Sequence, residues 1–140
     1  MSDDFDYENM TPENLRHAAS VAAEAVRYMN HATLIPGALR YPSDVDAVLV
    51  DLETLAQRFP QLLGQLAAWL VTECKANRVH VENAPPVHSP SVEAQAVAMV
   101  RRYLNEAGAE AAHVAASLHD ARQITAKLKG VPDEGEQADG

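Results

Sequence analysis

The sequence predicts an all-α protein, a helical bundle of four to five helices with a long C-terminal helix. Two observations carry that reading. Apolar residues recur at steps of three and four over most of the chain, and each such stretch opens on a helix-start signal: Thr11-Pro12, Ser43-Asp44 or Ser89-Pro90. Size and composition agree, since 140 residues with 47% apolar and 22% charged side chains resemble a globular domain with a core of its own.

Helix 1 is predicted from Pro12 to about Ala32, with Thr11 as N-cap and Pro12 at the first helical position. Its apolar seam is Leu15, Ala18, Ala22, Ala25, Met29 and Ala32. Pro36-Gly37 ends the helical pattern, yet the connector from Thr33 to Pro42 carries Leu34, Ile35, Leu39 and Tyr41. That is more apolar surface than a free loop holds, so the segment is expected to be covered by the chain itself or a dimer mate, or else to bind an outside partner.

Helix 2 is predicted to start at a capping box, Ser43 to Asp46, and to carry Val45, Val48, Leu49, Leu52, Leu55, Ala56 and Phe59 at helical spacing. Pro60 removes the bond to Ala56, so a break or sharp kink is expected there, with Pro60 opening a helix 3 that ends near Asn77. Leu62, Leu63, Leu66, Trp69 and Leu70 continue the pattern in phase. Helix 4 is expected from Ser89-Pro90 to about Lys129, where Gly130 and Pro132 stop it. Its seam is Val97, Val100, Leu104, Ala107, Ala111, Val114 and Leu118, and Gly108 within it marks a close approach of another backbone or a bend.

Helix 1 is about 30 Å long, the helix 2–3 unit about 50 Å and helix 4 nearly 60 Å. Helix 1 cannot cover the longer elements if they stay straight. The expectation is a kinked helix 2–3, a continuous helix 4 and a homodimer closed over the helix 4 seam.

The net charge of −9 is concentrated at the two ends. Residues 1–13 hold five acids and residues 131–140 hold four, with no Lys or Arg in either stretch, and the body is neutral. The division expected is an acidic N-terminal arm over 1–11, one helical domain over 12–130 and an acidic tail over 131–140. A neutral body with acidic ends disfavours nucleic-acid and membrane partners, which attract basic patches. The longest apolar run, Leu66 to Val71, is far short of a membrane span. The opening residues carry no signal-peptide pattern and Cys74 is a lone cysteine, from which a cytoplasmic location is expected.

No cofactor is expected, and no catalytic constellation. Glu110-Ala-Ala-His113 is a single Glu-x-x-His motif where a di-iron bundle needs two, and His119, Asp120 and Ser117 point in different directions around one helix. The stretch from Arg78 to Pro90 offers His80, Glu82 and His88, with Glu73 and Glu93 at the adjoining helix ends. These five side chains are the candidate metal ligands, suited in type to a borderline metal but matching no defined zinc spacing. The primary reading is a non-enzymatic helical interaction or scaffold protein whose partner is itself, and possibly another protein. The alternatives are a small-molecule or metal-binding bundle using the 78–90 connector, and an acidic-tailed binder of a basic partner or nucleic-acid mimic.

The run Leu39-Arg-Tyr-Pro-Ser-Asp-Val, followed by Leu-Ala-Gln-Arg-Phe-Pro-Gln-Leu-Leu-Gly-Gln-Leu-Ala-Ala-Trp-Leu at 55–70, resembles small Ala-rich all-helical proteins of unknown function found in actinobacteria. The resemblance spans roughly residues 39–129. It implies a cytoplasmic helical bundle and brings no catalytic residue with it.

Overall fold

The computed structural model describes residues 5–83 and 91–132 and contains three helices: α1 (Pro12–Ala32), α2 (Pro42–Lys75) and α3 (Val92–Thr125). Among the described residues there are no strands, and no helix is long and apolar enough to cross a membrane. The all-α class stands, and among the described residues the count is three helices rather than four to five. The chain divides into two units, residues 1–40 with α1 and residues 41–140 with α2 and α3.

In the first unit, α1 occupies the span its sequence signals predict. The Thr11 side chain accepts from the Asn14 N–H at 3.2 Å, satisfying one of the donors left open at a helix start, and Pro12 follows it. At the other end the Thr33 hydroxyl donates to the Met29 carbonyl at 2.9 Å. Gly37, at φ 95°, then takes the left-handed turn that prevents the helix from resuming. Leu34, Ile35 and Leu39 are exposed, Leu34 at 80%, so this unit by itself leaves the apolar connector open.

In the second unit, α2 begins two residues earlier than expected. Tyr41 is the N-cap and Pro42 the first helical residue, and the Asp44 carboxylate accepts from the Tyr41 N–H at 2.8 Å. The Ser43–Asp46 capping box is thus replaced by one a register back. The larger correction concerns Pro60: α2 runs unbroken through it for 34 residues, so the expected helices 2 and 3 are one helix. α2 stops where Asn77 turns to φ 58°, with Arg78 N–H bonded to the Glu73 carbonyl and Asn77 N–H to that of Cys74. This is the Schellman arrangement, with Asn in the left-handed position that glycine more often fills. The Arg78 guanidinium closes the same turn, donating to both Glu73 oxygens at 2.7 and 2.9 Å.

α3 starts at Val92, capped by Ser91, whose hydroxyl accepts from Ala94 N–H at 3.3 Å. The Ser89-Pro90 start lies outside the described residues. The helix is continuous through Gly108 and ends at Thr125, a turn short of the Lys129 boundary.

α2 and α3 pack against each other as an antiparallel hairpin, with Asp46 of α2 beside Thr125 of α3 and Val81, just past the end of α2, beside Glu93. The inward positions of α2 alternate steps of four and three: Asp46, Leu49, Glu53, Ala56 and Pro60, then Leu63, Ala67, Leu70 and Cys74. On α3 they are Val97, Leu104, Gly108, Ala111 and Ala115, then Leu118, Arg122 and Thr125. Half of the expected helix 4 seam, Val97, Leu104, Ala111 and Leu118, therefore faces α2 of the same chain. The other half, Val100, Ala107 and Val114, sits on the flank, with Val100 and Val114 exposed.

The helices approach closely where Pro60 meets Gly108. A Cβ added at Gly108 would stand 3.3 Å from the Pro60 Cα and 3.6 Å from its Cβ, so the absence of a side chain there is what lets the two backbones meet. Gly64, one turn further along α2, has nothing within 4 Å of such an atom. Replacing Gly64 by Ala is therefore expected to stabilise the protein by about 0.5–1 kcal/mol through helix propensity alone. Gly108→Ala should not deliver that gain, and Gly108→Val should cost about 1–3 kcal/mol through overpacking. Urea unfolding followed by circular dichroism measures all three; equal gains from both Ala variants would contradict the close approach.

Candidate functional site

The hairpin carries three features of chemical interest: a polar cluster between its helices, two open grooves on one flank, and an apolar face on the other.

The polar cluster occupies core positions at the end where α2 begins and α3 finishes. Glu53 is 6% exposed, and its Oε2 accepts from Arg122 Nη1 at 2.7 Å while Oε1 lies 3.1 Å from His119 Nδ1. Asp46 accepts from the Thr125 hydroxyl at 2.6 Å and lies 3.9 Å from Arg122 Nε. A carboxylate buried among apolar side chains is tolerated only when it is paired, and here every oxygen of Glu53 has a donor within reach. The hydrogen bond from Arg122 holds the Glu53 carboxyl below its usual range, with burial opposing and His119 adding to the effect. Glu53 in turn raises the Arg122 guanidinium. The Glu53–His119 pair resembles the orienting half of a general-base arrangement, but the far nitrogen of the ring, Nε2, already lies 3.2 Å from the Gln123 amide. The cluster is thus arranged to lock the alignment of two helices.

Sequence reasoning missed Asp46, Glu53, Arg122 and Thr125. The signal was present in register: Asp46 and Glu53 are seven residues apart and in phase with Pro60 and Ala67, so acids fall on the stripe that faces the other helix.

The five candidate metal ligands are distributed differently. Glu73 is engaged by Arg78, which lowers its carboxyl from the ordinary range through their hydrogen bonds. Glu93, 8% exposed, accepts from the Ser91 hydroxyl at 2.9 Å and the Val81 N–H at 3.2 Å, and His80 Nδ1 stands 3.3 Å from it. Glu82 is exposed and His88 lies outside the described residues. Among the described residues no group of three or more His, Cys, Asp and Glu side chains is placed to hold a metal ion. Glu93 instead fastens the connector to the start of α3.

The first groove, about 620 Å³, lies between Val71 and Cys74 of α2 and Val97, Ala98 and Arg101 of α3. The second, about 410 Å³, lies between Gln57 and Pro60 of α2 and Ala112, Ala116 and His119 of α3. Both are on the same flank of the hairpin. The opposite flank therefore gathers the outward stripe of α2 with that of α3. On α2 the stripe runs Val45, Val48, Leu52 and Leu55, then Phe59, Leu62, Leu66 and Trp69, eight consecutive stripe positions without a charge. All but Leu52 are exposed, Trp69 at 63%. On α3 it includes Val100, Tyr103, Ala107, Val114 and Ile124. Of the expected loop patch, Tyr41 belongs to this unit; it too is exposed, its ring lying against Gly130.

Protonating Glu53 removes its attraction to Arg122 and leaves a guanidinium at a core position. Because its carboxyl titrates lower in the folded chain than in the unfolded one, whose value is near 4.5, the unfolded state binds more protons in that range. The stabilisation is complete above about pH 5 and is lost as pH falls through the folded value. Urea midpoints measured from pH 7 down to 3 are expected to fall along this course, and Glu53→Gln should flatten the curve. Arg122→Ala should destabilise more than the double replacement Glu53→Leu with Arg122→Met, since it leaves a buried carboxylate without its guanidinium.

No family model, curated protein or solved structure matches this chain.

Proposed function

We propose that this chain is a non-enzymatic helical interaction protein, a scaffold whose working surface is the apolar face of the α2–α3 hairpin and whose partner is a second copy of itself. The observation that carries this reading is the α2 stripe from Val45 to Trp69. Exposed apolar residues scattered singly are ordinary, but seven in helical phase on one face, joined by those of α3, form a contiguous patch of the kind that marks an interaction site.

Area supports the choice of occupant. Each of the two helices is 34 residues, or about 50 Å, and two of them side by side at 8–10 Å spacing present a face of about 1,000 Å². That exceeds the roughly 800 Å² per partner of a standard stable interface. The three- and four-residue steps on this face suit coiled-coil packing between copies. The reading places the protein in the cytoplasm, in keeping with its lone Cys74.

Light scattering and sedimentation velocity at micromolar concentration are expected to give twice the chain mass. Leu55→Glu with Leu62→Glu should produce a monomer that keeps its helical circular dichroism, since both side chains lie outside the hairpin core. Leu104→Asp, which places a charge against α2, should instead unfold the hairpin. A wild-type monomer at tens of micromolar would overturn the reading.

A further inference from the structure

The same face carries information about how the two copies meet. Two hairpins placed face to face with two-fold symmetry have two options. With the axis along the helices, α2 of one copy lies on α3 of the other; with the axis across them, α2 lies on α2 and α3 on α3. Resting on the self-association reading above, we infer that α2 packs on the partner copy's α3, giving a four-helix bundle in which the two α2 helices are diagonal to one another.

Size complementarity is the first argument. The α2 stripe is bulky through its middle, with Leu55, Phe59 and Leu62, whereas the α3 stripe carries Ala107 and Ala121 in line with Val114. Large side chains packed on large ones hold helices apart, and large on small lets them interdigitate at interior density. A two-fold axis along the helices keeps every residue at its own height, so the Pro60–Gly108 level fixes the register between copies as well as within one. At that register Leu62 of one copy is level with Ala107 of the other, and Leu55 with Val114.

Charge is the second argument and is independent of the first. From Val100 to Ile124 the α3 stripe contains one charged residue, Glu110, a liability in an apolar interface. At the inferred register the residue level with Glu110 is Arg58 of the other copy's α2, on the rim of the stripe. Within a single chain neither has an ion-pair partner among the described residues. The arrangement pairs them twice, once on each side of the axis. Stacking α2 on α2 sets α3 against α3, whose stripe and outer rim carry no Lys or Arg to meet Glu110.

Disulfide trapping tests the inference in full-length protein carrying Cys74→Ala. Two single-cysteine chains, Leu62→Cys and Ala107→Cys, are mixed, allowed to exchange and oxidised. The expected product is the mixed cross-linked dimer, formed at least tenfold faster than self-linked dimers from a scan of Leu55→Cys, Phe59→Cys, Leu62→Cys and Leu66→Cys. Self-linking at any of these α2 positions as the dominant product would overturn the arrangement while leaving self-association intact. A chain that sediments as a monomer throughout would overturn both. As a second readout, Arg58→Glu is expected to weaken the dimer about fivefold by placing two acids against each other at two symmetric sites, and adding Glu110→Arg should restore it. Failure of that restoration in a dimer that forms normally would count against the pairing.

Discussion

The close meeting of Pro60 and Gly108 is the constraint on which the rest of the hairpin depends. Proline inside a helix lacks the N–H that would bond the carbonyl one turn back and crowds it, at a cost of about 3 kcal/mol. Here the helix continues anyway, and at that point the Pro60 Cα and Cβ face an α3 residue with no side chain. The seam around that point is made of small residues: Ala56 and Ala67 on α2 and Ala115 on α3 are among its most buried positions. Small side chains bring the two helices close together, and no side chain among the described residues is completely enclosed.

The large residues are consequently displaced to the outside. Where Ala56, Pro60, Gly108 and Ala115 set the spacing, the seam has no room between its helices for a side chain as large as Phe59, which a globular core would ordinarily take in first. Its position on the flank follows from the seam's geometry. The most buried apolar residues of the hairpin are small and its largest ones are exposed.

The parts of this fold legible in the sequence are those set by local chemistry. α1 was readable to the residue because Thr11 and Pro12 fix its start and Thr33 with Gly37 its end. The apolar periodicity of α2 and α3 was readable too, along with half of the α3 seam. Pro60 was misread because a breaker was weighed on its own element, while the glycine that accommodates it lies 48 residues away. For the same reason Val100, Ala107 and Val114 displaced Gly108, Ala115 and Arg122 from the seam: Gly and Arg do not register as core residues until their partners are known. The Glu53 cluster was hidden in the same manner, since a buried acid is intelligible only beside the arginine that neutralises it.

The Glu53 cluster also makes the hairpin unequal along its length. At one end the seam between the helices holds charge, with Asp46, Glu53 and Arg122; at the other it is apolar, with Leu63, Leu70 and Val97, while the carboxylates there, Glu73 and Glu93, tie the turn and the start of α3. These two fastenings answer to different variables. Acid loosens the first, whereas cooling weakens the second, because apolar burial loses its driving force as temperature falls. A single hairpin thus has two ends that open under different conditions, and the level of Pro60 and Gly108 is where one regime gives way to the other.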